Sequence, residues 1–366
     1  MTILQGDGID SPVDVDEPVD ADERHRIRVR RIDPDDLFAV VGSALAAFCL
    51  AWLGYERLTP LSGGLGFFVV WYVLFIGFAA LVLRDRHSWI AAKDKLASIV
   101  ITSSGVLVVA ALILIVGYTT VRGVEALRPH FFTQTLHTTG PLAPATDGGG
   151  AHAIVGTIEQ VGLAVLVSVP LGIACALFLN EIGGRLARPV RLIVDAMSAV
   201  PSIVAGLFIY AFFIVGLHQH FSGFPAALAL TVLMLPTVTR TAEVVLRLVP
   251  GGLREGSLAL GGSEWRMARL VILPTARAGL VTAVILGVAR AVGETAPLLL
   301  TSGTNSDMNW NPFKGPQEAL PVFVYNQIRS SSDSSVTRAW TGALVLLLLV
   351  LVLFVVARRL ARRRFA

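Results

Sequence analysis

The sequence has few residues of the kinds that form covalent, metal or nucleotide sites. Its two cysteines, Cys49 and Cys175, both fall inside long apolar stretches, which argues against a disulfide framework and against a thiolate metal site. The seven histidines are scattered, and the closest pair, His218 and His220, is interpreted as part of a solvated turn. No Gly-Lys pair occurs anywhere, so the chain has no P-loop to hold nucleotide phosphates.

Charge is scarce as well. Charged residues make up 15% and hydrophobic residues 54% of the 366 positions, and the apolar residues come in long runs. Runs of about 20 apolar residues cross a bilayer as helices, because the membrane core offers no water to an open backbone. The sequence therefore predicts an all-α polytopic membrane protein. Eight spans are predicted, at residues 37–54, 65–83, 97–118, 154–180, 196–217, 224–239, 277–300 and 339–357.

Proline and glycine mark the expected breaks in these spans. Pro170 and Pro236 are expected to interrupt the fourth and sixth spans, with residues 237–248 as a continuation of the sixth, and Pro201 with Ser202 is expected to start a helix. The Thr- and Pro-rich segment that ends in Gly148–Gly150 is interpreted as a flexible linker.

Lysine and arginine are distributed unequally over the two sides that these spans define. One side, with both termini, has 22 of them, and the other side has six. The positive-inside rule then places both termini and residues 240–273 in the cytoplasm, and residues 120–153 and 302–338 outside. The formal charge of +4 is thus explained by loops that contact anionic lipid headgroups rather than nucleic acid. Residues 1–36 contain eleven acids and no aromatic residue, and they are predicted to form a disordered cytoplasmic tail.

The stretch from Arg254 to Leu300 is the most informative part of the chain. It begins with Glu255, has Gly261 six positions later, and reaches Leu273 and Pro274 after a further apolar piece. Gly251-Gly252, Gly261-Gly262 and Pro274 are expected to break it into short helices. A short, exposed helix suits a docking element, and the alternative is an ordinary amphipathic loop at the membrane interface.

This spacing resembles the EAA loop of type I ABC-importer permeases, E-A-A-x3-G-x9-I-x-L-P. Gly256-Ser257 stands for the Ala pair and Val271 for the Ile. The resemblance implies that residues 255–274 dock in a groove of a separate ATPase, with Glu255, Gly261, Leu273 and Pro274 at the motif positions. It also implies that this chain needs no cofactor, because ATP is bound by the partner.

A second resemblance is more specific. The stretch ARAVGETAPLLL, from Ala289 to Leu300, resembles the PstA family of phosphate permease subunits, whereas the paired PstC subunits follow R-x-x-G-E-T with M-A. Similar matches are AMSAVPSIVAGLF at 196–208, PQEALPVFVYNQI at 316–328, with one residue more than the family pattern between Leu320 and Tyr325, and RAW at 338–340. The resemblance covers residues 97–366 and implies a six-helix core, with the ABC transmembrane domain at 150–357. Residues 37–96 are then an additional helix pair.

Arg290 and Glu294 are four residues apart, and both are expected inside the span 277–300 on one helix face. A charge inside the membrane costs several kcal/mol unless it is paired or hydrated. One interpretation is a structural ion pair that locks two helices. The other, which the resemblance implies, places both beside the translocation path, with Arg290 as a transient partner of the anion and Glu294 restraining it. A guanidinium suits phosphate because it donates two parallel hydrogen bonds.

The resemblance as a whole implies a permease subunit in the cell membrane that forms half of a phosphate path and is not itself an enzyme. Its implied partners are a PstC-like permease, PstB-like ATPase subunits, a PstS-like extracytoplasmic phosphate-binding protein, membrane lipid and inorganic phosphate. One alternative is an importer of another oxyanion, sulfate or molybdate. A second alternative is a secondary transporter driven by an ion gradient, against which the Glu255 loop and the lack of a repeated half both argue.

Overall fold

The computed structural model describes residues 34–59, 63–86, 89–140 and 142–362. These ranges contain thirteen α-helices and no strand, which confirms the all-α class. The helices are α1 (Pro34–Trp52), α2 (Gly64–Arg86), α3 (Trp89–Val124), α4 (Ala151–Leu177), α5 (Ala187–Ala199), α6 (Ser202–Ile209), α7 (Gly223–Arg247), α8 (Gly251–Ala259), α9 (Glu264–Met267), α10 (Leu273–Val292), α11 (Ala296–Thr301), α12 (Leu320–Ile328) and α13 (Asp333–Arg362). π-helical turns extend α1 to Leu58, α4 to Ile182 and α6 to Gly216, and another joins α9 to α10.

Seven helices within these ranges are long and apolar enough to cross a membrane, and the bent pair α5–α6 adds an eighth if it counts as one span. This agrees with the eight spans that the hydropathy pattern predicts. The predicted disordered tail, residues 1–36, lies outside the described residues except for the last three, which belong to the first turn of α1.

The described chain divides into two compact units, the first ending at Ala111 and the second beginning at Leu112. In the first unit α1 packs against α2 around Ala47, Phe75 and Ala79. The Trp71 indole donates a hydrogen bond to the Ala44 carbonyl at 3.1 Å, so a polar group inside this apolar pair is satisfied.

The second unit is built around the contact of α4 with α7. Leu230, Met234 and Val238 of α7 are fully buried against small residues of its neighbours. A Cβ atom at Gly172 of α4 would lie 2.9 Å from Val238 Cγ1, and one at Gly287 of α10 would lie 2.7 Å from Val238 Cγ2. Glycine thus lets both helices approach α7 closely, as is common where helices pack inside membranes.

The fifth predicted span, 196–217, is wrong at its start. The chain bends by 104° between α5 and α6, and the apolar helix begins at Ser202. Pro201 has no N–H to continue the ladder of α5, and it disfavours helical dihedrals at Val200, which is extended with ψ of 124°. Helix α5 is amphipathic and buries only Val194, which is typical of a helix at a membrane surface.

The expected interruptions at proline are also wrong. Helix α4 continues through Pro170 and α7 through Pro236. Pro274 lies inside a continuous helical run from Glu264 to Val292. A π-helical turn precedes Pro274, and the Leu273 N–H bonds to the Ala268 carbonyl five residues back, which makes room for the proline ring.

The seventh predicted span, 277–300, ends early. Helix α10 stops at Val292, and Gly293, Glu294 and Thr295 form a non-helical break before α11. Pro297 explains this end, because in a continuous helix its ring would clash with the carbonyl of Gly293. Arg290 and Glu294 therefore do not share a helix face, contrary to the expectation from their spacing.

The segment before α4 is ordered by specific bonds, which corrects the interpretation as a flexible linker. The Gly150 N–H donates to the Phe131 carbonyl at 2.9 Å. Arg338 of α13, with 2% of its surface exposed, donates to the carbonyls of Ala143, Pro144 and Asp147 at 2.8–3.2 Å. A buried guanidinium with three acceptors pins this segment to the last helix.

Candidate coupling and translocation sites

Helix α8 lies between α7 and the α9–α10 run and is exposed, with no buried residue. It ends in a Schellman motif. The Gly262 N–H bonds to the Ser257 carbonyl at 3.1 Å, the Gly261 N–H bonds to the Leu258 carbonyl at 2.9 Å, and Gly261 has φ of +79°. The motif glycine is thus required by backbone conformation, since a Cβ atom there would meet no neighbour in this chain but would strain the left-handed backbone.

The outward surface of α8 and α9 combines exposed apolar residues with the charged residues Glu255, Glu264 and Arg266. Glu255 is exposed and, in the part of the chain that the structure describes, has no hydrogen-bond or ion-pair partner. Leu260 is 91% and Trp265 68% exposed, and Leu253, Leu258 and Leu270 are also exposed. Together with Gly252, Gly256 and Gly262, some of these leucines line an open groove of about 440 Å³. Exposed apolar residues of this kind suit a contact with another protein or a position at the membrane interface.

The inward surface of the same loop is anchored in the core. Met267 and Ile272 are buried in a cluster with Leu246 of α7 and Ala176 of α4, and Leu273 packs against that cluster. Pro274 is exposed at the start of α10. Of the four motif positions, Glu255 and Gly261 therefore lie on the exposed part of the loop, Leu273 secures it, and Pro274 lies at the junction with the spanning helix.

Arg254, the residue before Glu255, turns the other way. Its Nε donates to Glu181 Oε2 at 3.1 Å and its Nη2 to Glu181 Oε1 at 3.0 Å. It also donates to the carbonyls of Val249 and Leu246 at 2.7 and 2.9 Å. Bidentate pairing of this kind fixes orientation as well as distance, so α8 is held to the ends of α4 and α7.

A second charged cluster lies at the same end of α7. Glu243 is buried and accepts hydrogen bonds from Arg191 of α5 at 2.7 Å, from Arg240 at 2.7 Å and from Arg247 at 2.5 Å. Arg240 also pairs with Asp195 of α5. One buried carboxylate thus holds three arginines, and the two acids together clamp the amphipathic helix α5 onto α7.

Arg290 lies on the exposed side of α10, about 20 Å along the helix from Arg277 at the usual rise per residue. Ala278, Thr282 and Leu286 share this exposed stripe, whereas Ala283, Gly287 and Ala291 face α7. Arg290 makes no hydrogen bond or ion pair with any described residue. Arg290 lies in the last turn of α10, and a lone guanidinium within a spanning helix is less favourable against lipid than against another protein or water.

Glu294 is half-buried in the break after α10, and its N–H bonds to the Ala291 carbonyl at 3.2 Å. Its neighbours Gly293 and Thr295 line a cavity of about 260 Å³ between α10, α12 and α13. The structure places Arg290 and Glu294 on either side of a helix end, and it shows no ion pair between them among the described residues.

Sequence reasoning missed a set of polar contacts at the other end of α4. The Leu320 N–H donates to Thr157 Oγ1 at 2.7 Å, and Gln160 Nε2 donates to the Gln317 carbonyl at 2.9 Å. His152 Nε2 lies 3.2 Å from Glu318 Oε2, and both side chains are buried. These partners are more than 150 positions apart in the chain, so no local pattern could have paired them; the only available sign was polar residues inside an apolar helix.

These features define a helical membrane protein with an exposed loop between two spanning segments, and the comparison with protein families gives a membrane transport component. Residues 168–366 match the family described as binding-protein-dependent transport system inner membrane component. The chain belongs to this family. The fold is similar to a chain of the MetNI methionine ABC transporter in an inward-facing conformation, with a TM-score of 0.47 and 22% identity over 58% of this chain and 92% of that chain.

More particular relatives are proteins called phosphate transport system permease protein PstA. PstA 1 of Mycobacterium tuberculosis is 38% identical over 275 residues, which are 75% of this chain and 88% of the relative. PstA of Xylella fastidiosa is 42% identical over 223 residues, 60% of this chain and 77% of the relative. The chain is thus a member of the PstA family, as the sequence motifs predict.

Proposed function

We propose that this chain is a permease subunit of an ATP-driven importer of inorganic phosphate. It forms half of the path, and a second, PstC-like permease forms the other half. PstB-like ATPase subunits bind the ATP, so this chain needs no cofactor and catalyses no hydrolysis. A PstS-like binding protein delivers phosphate from outside. Support for phosphate comes from the names of the relatives, which are 36–42% identical to this chain.

The observation that carries this proposal is the position of Arg290. It is a cation inside a spanning helix, exposed on the surface of the single chain and without a partner among the described residues. A water-filled path or a second subunit stabilises such a side chain better than lipid does. An arginine on a surface shared by two subunits provides a weak site through which an anion can pass, because its fork donates two hydrogen bonds to two phosphate oxygens.

Helix α8 supplies the link to ATP. Its exposed Glu255, the surrounding leucines and Trp265 form a surface of the size and polarity that a docking helix needs. We place this surface in the cytoplasm, together with both chain termini, because lysine and arginine are concentrated on that side.

The substrate path is tested with the complete complex in proteoliposomes. Arg290→Lys keeps the charge but loses the planar fork, so we expect normal assembly and phosphate uptake reduced about tenfold, a loss of about 1.4 kcal/mol in transition-state stabilisation. Arg358→Lys, at the exposed end of α13, is the matched control and should transport normally. Sulfate and molybdate are offered in parallel, and faster uptake of either would reassign the substrate.

The charge swap Arg290→Glu with Glu294→Arg tests the alternative in which the two residues form a structural ion pair. The two residues flank a helix end and form no ion pair, so the swap should leave the complex assembled and inactive. A swapped complex that takes up phosphate at the parent rate would contradict a path role for Arg290.

Orientation is tested by thiol labelling after Cys49 and Cys175 are replaced by serine. An impermeant maleimide added to intact cells should label Lys314→Cys directly and Ser263→Cys only after the membrane is opened. Labelling of Ser263→Cys in intact cells would invert the topology and remove the docking role of α8.

A further inference from the structure

Helix α4, with its terminal π-helical turn, runs without a break for 32 residues from Ala151 to Ile182, about 48 Å. Its last turn carries Glu181, whose side chain is 5% exposed and is held by both nitrogens of the Arg254 fork. Since Arg254 belongs to α8, one end of α4 is tied directly to the docking helix.

The first turns of α4 are tied to a different segment, residues 316–320, which leads from α11 to α12. Thr157 accepts a hydrogen bond from this segment, and Gln160 donates one to it. In addition, Gly156 lies so close that a Cβ atom would be 2.1 Å from the Glu318 carbonyl oxygen. The backbones of α4 and of residues 316–320 are therefore in direct contact. Helix α4 cannot shift along its axis without pushing or releasing residues 316–320.

Helix α10 offers no equivalent connection. It continues from the loop past Arg290 but ends at Val292, and the break at Gly293–Thr295 separates it from α11. Helix α4 passes Pro170 without a break, and its buried Ala164, Ser168, Gly172 and Ala176 pack on neighbouring helices. Of α4 and α10, only α4 runs as one unbroken helix from the contact with α8 to residues 316–320.

We propose that the Glu181–Arg254 ion pair transmits the displacement of α8 along α4 to residues 316–320 at the opposite end, and so couples ATP use to opening of the path. Glu181 and Arg254 are positioning residues, since in this proposal they act on the path through α4. The inference rests on the proposed function, because α8 must be moved by an ATPase.

The test uses the full complex in proteoliposomes with two measurements. The first is the amount of phosphate moved per ATP hydrolysed. The second is the labelling rate of Ala319→Cys, a small buried position within the segment, with and without ATP, in the background without Cys49 and Cys175. The parent complex should show an ATP-dependent change in that rate of at least threefold.

Glu181→Gln keeps the size of the side chain but loses its charge. We expect it to assemble and hydrolyse ATP, to move at least fivefold less phosphate per ATP, and to lose the ATP-dependent change at Ala319→Cys. The matched control is Glu125→Gln, which breaks the exposed Arg122–Glu125 pair and should leave both measurements unchanged. Parent values for Glu181→Gln would overturn the proposal, and failure of Glu181→Gln to assemble would also overturn it by assigning the pair to folding.

A rescue separates transmission from simple stabilisation. Glu181→Cys with Arg254→Cys should be uncoupled, and joining the two thiols with a short bifunctional reagent should restore phosphate moved per ATP to at least half of the parent value. A cross-linked complex that stays uncoupled would contradict a mechanical link. A parent complex that neither retains its ATPase nor takes up phosphate would instead contradict the proposed function, which keeps the two failures distinguishable.

Discussion

The two ends of α4 are held by different chemistry. At one end, the buried carboxylate of Glu181 binds Arg254 of α8, and nearby the buried Glu243 of α7 binds Arg191 of α5. At the other end, Thr157 and Gln160 bond to the backbone of residues 316–320, beside the buried His152–Glu318 pair and a hydrogen bond from Gln317 to the Glu159 carboxylate, and these contacts involve no arginine or lysine.

This difference matters because the two kinds of contact respond differently to movement. Coulomb attraction falls only as the inverse of distance, so an ion pair that shifts by about 1 Å keeps most of its strength. A neutral hydrogen bond depends on distance and angle and is lost within a similar shift. The α8 end is thus suited to stay connected while it moves, whereas at the opposite end the Thr157 and Gln160 bonds break first and the contacts to the Glu159 and Glu318 carboxylates break later.

The largest effect is expected from removing a buried carboxylate near the α8 end of α4. Glu243→Gln leaves three arginines without their carboxylate, and we expect a loss of about 3 kcal/mol, at the low end for a buried pair because those arginines are partly exposed. The apparent melting temperature of the purified complex measures it. Asp195→Asn is the control, since Asp195 pairs with the same Arg240 but is 53% exposed, and it should cost about 0.5 kcal/mol. Equal losses in the two variants would refute the importance of burial.

A smaller effect is expected at the opposite end of α4, where Gly156 contacts residues 316–320. Gly156→Ala forces its methyl group against the Glu318 carbonyl, which must move, at a cost of about 1–3 kcal/mol. Gly162→Ala lies on the same helix with no atom within 4 Å of its new Cβ and should be neutral or slightly stabilising. Melting temperature and the labelling rate of Ala319→Cys together report the change. A parent-like melting temperature and labelling rate in Gly156→Ala would show that the close approach of α4 to Glu318 is dispensable.

The smallest effect is expected at the end of the docking helix. Gly261→Ala places a side chain at φ of +79° and should cost about 1–2 kcal/mol, seen as weaker retention of the ATPase. Gly261→Asn tolerates the left-handed backbone better and should retain more ATPase than Gly261→Ala. If both variants lose the ATPase equally, the space around Gly261 matters rather than its backbone angle.

Proline shows where sequence reasoning was reliable and where it failed. Pro201 starts a helix as predicted, whereas Pro170, Pro236 and Pro274 lie inside continuous helices. Pro297, which was not among the predicted breaks, ends α10. A proline removes one hydrogen bond, and the surrounding helices decide whether the chain continues past the gap.

For the charged residues too, distance in sequence does not predict which side chains pair. Arg290 and Glu294 are close in sequence and yet form no pair, whereas Arg254 and Glu181 are 73 positions apart and form a bidentate one. The roles of Arg290, Glu294 and the loop residues remain predictions, as does the division into a tail, an additional helix pair and a six-helix core.

The sequence by itself determined the helical class, the seven or eight spans and the family, because these depend on apolar run length and on local motif spacing. It also determined that Gly261 closes a short exposed helix, since left-handed backbone at a helix end is a local requirement. Only the tertiary structure decided that α4 and α7 continue through Pro170 and Pro236, which acid holds Arg254, and which residues α4 touches at its far end. Those outcomes depend on helices meeting across long stretches of chain, and a pattern of neighbours in sequence has no information on such meetings.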